Sequence, residues 1–536
     1  MMDVMYAGIT GRVGKFSALS VGNRKLLSRT VPGMMAVLDN TRFIAVSRKA
    51  EPSVIAHALR WDSIRGPYRP EGFAWSMHDG LPSPVEILSN NIVRVGDEKF
   101  KVQRWNLGVD EMEATTGGLR SDGVVPVWPG ERDHFRFLVD FTGVFSTLNK
   151  AKPFFRDHNP MNGADVVLVG RPVKNPEADI TVIPGVNDRD LEIGLLNDLR
   201  EKGLVAYREK RLYKVVSAAS CTTNAVVPPL AILLRSQTIL GEKVWSEYKA
   251  EIAELLDIDP AVMELDSILK VVRVPQIITT HAVTKTQALL DEAASDPKKA
   301  GEVIDYTKPR AAMANIAPST SGAATETVKA LPELGGETQQ ADELPIIDDV
   351  GLGRKGLIGR VVARRVPTIT GSLADLEVAV EWDKTLLQQV IKIAKEKEAK
   401  PDKQLKYAEQ LLAKIVNYLF LYAGNNGSSL HRRFEYTNES MVSSDVIGNH
   451  HGSVVAGPYT QVVLYRDGTS DVHIAAFYDN EQGYANNMLT IQTLILRAVM
   501  DSALTHPFSI SSGFNHDTVV QEEVEERGRP TRDSGG

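Results

Sequence analysis

Cys221 is the only cysteine in 536 residues, and its setting singles it out. Ser220-Cys221-Thr222-Thr223-Asn224 follows an apolar run at Tyr213–Val216 and opens AVVPPLAILL, which reads as a helix. The thiol would then sit at a strand-to-helix junction, where the helix N-terminus favours a thiolate, the nucleophilic form. A lone cysteine is more often a core residue; here the flanking hydroxyls and the helix start argue for a reactive one. A nucleophilic cysteine also needs a base. Of eleven histidines, His281 in the Thr-rich segment ITTHAVTKTQ has the most suitable polar neighbours. The pair predicts covalent catalysis, with a thiol pKa below the roughly 8.5 of free cysteine.

The elements that must position this pair follow from pattern. Residues 3–9 read as a buried strand, with Gly8, Gly11 and Gly14 after it and a helix from Lys15. RFIAVS at 42–47, HFRFLVDF at 134–141 and 165–169 read as further strands, and 85–95 with 100–105 as a meander. Strands alternating with helical stretches over the first 215 residues predict a mostly parallel sheet. Later the pattern changes. Residues 379–382, 462–465 and 473–478 read as strands of an antiparallel sheet, separated by helices at 386–397 and 404–421. A last helix is expected over about 484–502. The fold class expected from this pattern is α/β, a mostly parallel sheet followed by a part with a mostly antiparallel sheet, and the charged end, 519–536, reads as disordered.

Composition narrows the function classes. Hydrophobic residues make up 43% and charged residues 24%, which is globular composition. The net charge of −7 gives no basic field for nucleic acid or anionic lipid. One cysteine excludes an intrachain disulfide and a Cys-rich zinc site, and no metal site is expected. Apolar runs stop short of the roughly 18–20 residues of a membrane span, and the N-terminus lacks signal-peptide character. A cytoplasmic protein acting on a small molecule is expected.

SAASCTTNAVVPPLA resembles the active-site segment of the phosphorylating glyceraldehyde-3-phosphate dehydrogenase family. Further similar blocks follow in family order: GRVGK at 11–15, WDS at 61–63, FTGVFST at 141–147, PGVND at 184–188 and TTHAVTKTQ at 279–287. After them come RAAMANIAPSTSGAATETVKALPEL at 310–334, RRVPT at 364–368, VSSD at 442–445 and FYDNEQGYAN at 477–486. The resemblance implies a reaction and a set of roles. Cys221 matches the nucleophile that attacks the aldehyde of glyceraldehyde 3-phosphate, and His281 matches its base. Asn480 matches the residue that fixes the nicotinamide carboxamide, and Tyr484 an aromatic close to that ring. Gly11, Arg12, Val13, Gly14, Thr142 and Gly143 fall on the cofactor-binding blocks. Thr284 and Arg365 match the substrate-phosphate residues, Arg365 with a planar fork of donors suited to phosphate. Ser220, Thr222, Ser321 and Gly322 match the side that holds the attacking inorganic phosphate, the implied co-substrate. The family arginine at that site aligns with Lys308, with Arg310 two residues later; lysine keeps the charge and loses the bidentate geometry. The family also implies a homotetramer and a domain plan: an N-terminal Rossmann-like dinucleotide-binding domain at 1–219, completed by a C-terminal helix at 484–503, an α+β catalytic domain with a mostly antiparallel sheet at 220–483, and an extension at 504–536.

The departures are also informative. The chain is longer than the family, with excess before Arg42, in 66–135, 186–214, 235–277, 288–309 and 383–434. The glycine fingerprint is altered, because G-x-G-x-x-G would need glycine at Ile9. After RFIAV the chain reads Ser47-Arg48-Lys49, so Arg48 stands where the family has the aspartate that receives the adenosine ribose. A base there suits a 2′-phosphate and predicts NADP over NAD, with NAD still possible. The alternatives are an erythrose-4-phosphate relative, in which water resolves the thioester, and a degenerate homologue with a binding role. Gly351-Leu-Gly353-Arg-Lys-Gly356 also fits G-x-G-x-x-G, but it follows an acidic loop rather than opening a strand–turn–helix unit, and is set aside.

Overall fold

A computed structural model describes residues 2–47, 51–62, 66–69, 72–73, 84–104, 128, 134–142, 163–173, 180–197, 199–201, 203–204, 215–259, 268–284, 287–293, 307, 309–319, 322–335, 346–348, 351–353 and 356–505. Arg48, Gly143, Lys308 and Ser321, and the tail expected to be disordered, lie outside these residues.

Two large sheets organise the chain. The first has nine strands in the order Ile180–Thr181, Val215–Ser217, Val166–Val169, Phe135–Asp140, Met2–Ala7, Thr41–Ser47, Glu98–Arg104, Ile92–Val95 and Val85–Ser89. The first seven pair in parallel, and the last three form the expected meander as an antiparallel edge. A parallel sheet is covered on both faces, and every residue of Met2–Ala7 is buried. Val4 and Tyr6 face one apolar cluster with Phe43, Phe100 and Phe137, while Met5 and Ala7 face another with Ile44, Leu138 and Val167. Met2–Ala7 lies between Thr41–Ser47 and Phe135–Asp140. Chain order therefore reverses at the carboxyl end of this strand, the switch point where such sheets open a ligand crevice. This is the Rossmann-like architecture expected.

The second sheet has eight strands, built around Leu269–His281, Ile358–Arg365, Ser372–Trp382 and Thr469–Tyr478. Most of its pairs are antiparallel; Leu269–His281 runs parallel to Ile358–Arg365, and Phe434–Thr437 parallel to Ser453–Ala456. One face packs on helices Cys221–Leu234, Ser236–Leu256, Lys384–Lys397 and Pro401–Ala423. Two of the extra segments thus form one layer. Tyr248 of the first donates its hydroxyl to Ile415 O of the second at 3.4 Å, and Gln389 Nε2 donates to Leu256 O at 2.8 Å.

Sequence pattern locates Lys384–Lys397 and Pro401–Ala423 to within a few residues, whereas Ser236–Leu256 falls in a segment read only as an insertion. The second long helix starts at Pro401 rather than 404, because proline suits the first helical turn. The last one runs Gln482–Thr505. Leu269–His281 is a 13-residue strand that begins in the segment read as an insertion and ends in the block that holds His281. Pro275 speaks against a strand interior, and the structure accommodates it where the register with Ser372–Trp382 shifts between Val271 and Gln276. Gly351–Gly353 lies on a short hairpin with Ile346–Asp348 and opens no helix, as the sequence context indicates. No helix among the described residues is long and apolar enough to cross a membrane.

Candidate active site

Cys221 is the first residue of helix Cys221–Leu234, one turn after strand Val215–Ser217. Ser220 is the N-cap and its Oγ accepts from Thr223 N at 3.1 Å. The helix carries Pro228 and Pro229 in its interior and is buried on nearly all sides, its apolar residues in the cluster of the second sheet. Tertiary packing there overrides the usual cost of internal proline. The approach to Cys221 is strained. Ala219 has φ 56°, a left-handed conformation that costs a non-glycine residue about 1–2 kcal/mol. Four groups hold it. Ala219 N donates to Ser217 Oγ at 3.1 Å, and Tyr484 donates its hydroxyl to Ala219 O at 3.0 Å. Asn224 Nδ2 donates to Ala218 O and Ser220 O, each at 2.9 Å, and Asn487 Nδ2 donates to Asn224 Oδ1 at 2.7 Å. Strain kept in this way at a reactive side chain is a mark of a functional site.

His281 ends the long strand Leu269–His281, and its Nε2 lies 3.4 Å from Cys221 Sγ. Its Nδ1 is 2.7 Å from Ala282 O. That bond must be donated by Nδ1–H, so Nε2 is the free acceptor facing the thiol. Arg365 ends the neighbouring parallel strand, in register with His281, and also donates to Ala282 O at 3.4 Å. Tyr478 closes the group: its hydroxyl is 3.0 Å from Thr222 Oγ1, and its ring meets His281 edge-on at 6.1 Å.

Electrostatics define the resting state. Burial pushes the Cys221 thiol up from its ordinary value, against the pull of the Arg365 guanidinium and the Thr222 hydrogen bonds. Burial pushes His281 down to about 3, and the positive Arg365 reinforces this, with a smaller push from Arg12, against the Ala282 carbonyl bond. Both shifts favour a neutral thiol beside a neutral imidazole. The sequence expectation of a lowered thiol pKa therefore fails for the free protein. The helix N-terminus is present, but the imidazole carries no charge and desolvation of the sulfur is the larger effect. Cys221 keeps partial exposure, so solvent moderates that push.

The glycine loop lies at the switch point. Gly8 has φ +81°, and so takes the tight turn that the altered fingerprint left without a glycine at Ile9. A Cβ on Gly14 would stand 2.5 Å from Gly8 O, so only glycine lets helix Arg12–Val21 start this close to the strand. Gly11 caps that helix with no side-chain hydrogen bond and no acid in the first turn, which leaves its leading amides for an anion. Val13 packs at the edge of the sheet's main apolar cluster. Thr142 sits across from Gly8 and donates its backbone N–H to Asp140. Arg12 reaches the other half of the molecule, donating to Val283 O at 3.3 Å and Ile369 O at 3.1 Å and pairing with Glu481. Asn480 beside it accepts at Oδ1 from Thr370 Oγ1 and Gly371 N, both at 3.2 Å, which turns its amide nitrogen outward as a donor. These features fit a dinucleotide whose diphosphate meets helix Arg12–Val21 and whose carboxamide meets Asn480.

The remaining candidates divide. Thr284 lies three residues past His281 and is half-buried. Gly322 is exposed, and among the described residues nothing lies within 4 Å of where its Cβ would be. Arg310 is exposed and pairs with Asp291 at 3.5 Å. Sequence reasoning missed Tyr478, Ala219, Asn224 and Asn487. Tyr478 was within reach, two residues before Asn480 in FYDNE; the clamp on Ala219 depends on a backbone angle that no motif encodes. Among the described residues no cluster of metal-binding side chains occurs.

A sequence profile for the C-terminal domain of glyceraldehyde 3-phosphate dehydrogenase matches residues 258–348 and 355–480. That stretch of the chain is similar to this domain, and the matched residues include His281, Arg365 and Asn480. Similarity extends over the N-terminal half as well. A protein of Borreliella burgdorferi named glyceraldehyde-3-phosphate dehydrogenase is 24% identical over 455 residues, 85% of this chain and 92% of its own. One of Mycobacterium leprae with the same name is 25% identical over 472 residues, covering 88% and 94%. Glyceraldehyde-3-phosphate dehydrogenase 2 of Streptomyces arenae is 26% identical over 453 residues, covering 84% and 90%. The resemblance read from the motifs is thus borne out.

Proposed function

We propose that the chain oxidises glyceraldehyde 3-phosphate to 1,3-bisphosphoglycerate with inorganic phosphate as co-substrate. The observation that carries this reading is the 3.4 Å approach of Cys221 Sγ to an imidazole nitrogen whose partner nitrogen is tied to Ala282 O. Cys221 attacks the aldehyde carbon as its proton passes to His281 Nε2, and His281 hands that proton to the carbonyl oxygen to give a thiohemiacetal and a neutral imidazole again. A bound nicotinamide dinucleotide supplies the hydride acceptor. His281 takes the hydroxyl proton as the carbon is oxidised, which leaves a thioester on Cys221. A phosphate oxygen then attacks that carbon, the C–S bond breaks, and Cys221 leaves as the thiolate and regains a proton. Arg365 holds the substrate phosphate, with Thr284. Neutral imidazole at rest lets His281 act as a base in both proton transfers. NADP is the preferred cofactor on the strength of Arg48, the protein acts as a homotetramer, and its setting is cytoplasmic.

Steady-state rates with each nicotinamide cofactor, with and without phosphate, test the reading. Phosphate-dependent turnover is expected, with kcat/KM higher for NADP and reversed in Arg48→Asp. Full turnover without phosphate would instead favour hydrolysis of the thioester, as in the erythrose-4-phosphate relatives.

A further inference from the structure

Arg12 opens the helix that follows the glycine turn, yet its side chain leaves that turn and crosses to the second sheet. Its Nη1 donates to Val283 O at 3.3 Å and its Nη2 to Ile369 O at 3.1 Å, and it pairs with the Glu481 carboxylate. The three acceptors share one edge of that sheet. Leu269–His281, Ser372–Trp382 and Thr469–Tyr478 are antiparallel neighbours in that order. Val283 follows the end of the first strand, Ile369 precedes the start of the second, and Glu481 follows the end of the third. Antiparallel pairing brings these ends to the same side, so one guanidinium ties three strands together.

Each acceptor adjoins a residue of the site. Val283 is two residues past His281. Ile369 precedes Thr370 and Gly371, whose hydroxyl and N–H donate to Asn480 Oδ1 and so turn the amide nitrogen outward. Glu481 follows Asn480 directly, and its N–H donates to Asp479 Oδ1 at 2.8 Å. Glu481 is also 3% exposed. A carboxylate so buried is costly, and stability alone gives little reason to keep it with its partner. What the arrangement provides is a fixed distance between the glycine turn and Asn480. A planar fork can hold three groups at once, whereas an ammonium is a point charge on a flexible stem.

We propose that Arg12 is a positioning residue: its fork sets where Asn480 stands relative to the glycine turn, so that a dinucleotide anchored by its diphosphate brings its carboxamide to the Asn480 amide. This rests on the nicotinamide-dependent reading above. The fork is occupied by groups of the chain itself, so its effect falls on the nicotinamide end of the cofactor and not on the diphosphate.

The test measures binding rather than turnover. Full-length wild type, Arg12→Lys and the double variant Arg12→Met with Glu481→Gln are titrated by calorimetry. Lysine keeps Glu481 paired, and the double variant leaves no buried charge unpaired should the single one fail to fold. The ligands are NADPH and NADH, and the matching fragments without nicotinamide, 2′-phospho-ADP-ribose and ADP-ribose. The expected result is a Kd for the dinucleotide raised roughly tenfold, the scale of one hydrogen bond, with the Kd for the fragment close to wild type. Equal weakening of dinucleotide and fragment would mean that Arg12 holds the diphosphate itself, and refutes the positioning role. Unchanged binding of both refutes it too. A wild-type chain that binds neither dinucleotide, or binds it no more tightly than the fragment, refutes the nicotinamide reading itself and takes this role with it.

Discussion

His281 makes the stability of this protein sensitive to acid in a way one substitution removes. In the unfolded chain a histidine titrates near 6.5, whereas burial and two guanidinium groups hold the folded His281 at about 3. Between these values the unfolded state binds the proton and the folded state does not, so stability rises with pH there. Nothing is lost above about pH 7, and the loss grows as pH falls through 6.5 towards 3. At pH 5 the linkage amounts to about 2 kcal/mol. For units of this size that is about 4–8 °C in thermal midpoint. The experiment compares scanning fluorimetry of wild type and His281→Asn at pH 8 and pH 5. Asparagine lowers stability at both values, and that offset cancels in the comparison. Other groups, including His450, which burial holds at about 4, titrate in both proteins and cancel as well. Wild type should lose about 4–8 °C more than the variant on going to pH 5. Equal losses would mean that folded His281 binds its proton as readily as in the unfolded chain, and its depression by burial would be wrong.

Other consequences are simpler to state. Arg365→Gln removes the charge that pulls the Cys221 pKa down, so the pH profile of iodoacetamide alkylation should move to higher pH; an unmoved profile would place Arg365 outside the site's field. Tyr484→Phe leaves Ala219 O without its hydroxyl partner and should cost about 1 kcal/mol in urea unfolding, together with slower alkylation as the strained turn relaxes. Leu412→Ala, a fully buried position in the added helical layer, should cost about 2–5 kcal/mol while leaving alkylation of Cys221 unchanged; a change in alkylation would tie that layer to the site.

What the sequence made legible is what repeats locally. The βα alternation gave the parallel sheet, and the 3.6-residue spacing of apolar positions gave helices Lys384–Lys397 and Pro401–Ala423 nearly to their ends. Cys221, His281 and Arg365 stand out as motif residues, and the structure brings them together from a helix start and the ends of two adjacent strands. What stayed hidden depends on partners distant in the chain. Leu269–His281 was obscured by Pro275, whose effect is absorbed by a register shift visible only once Ser372–Trp382 pairs with it. The thiol pKa was misjudged because a helix start is readable and desolvation is not; burial of Cys221 between two apolar clusters is a property of the packed chain. The Glu326–Lys329 ion pair is not singled out by the sequence, because its partners Thr181 and Val173 are distant in the chain.

The most direct measurement is the mass of the covalent intermediate. The full chain is mixed with glyceraldehyde 3-phosphate and NADP in phosphate-free buffer, quenched in acid and digested. The account predicts a 3-phosphoglyceroyl group on the peptide that holds Cys221, absent in Cys221→Ser and discharged when phosphate is added before the quench. Reduced cofactor formed with no acyl group on Cys221, or an acyl group that phosphate does not discharge, would contradict it.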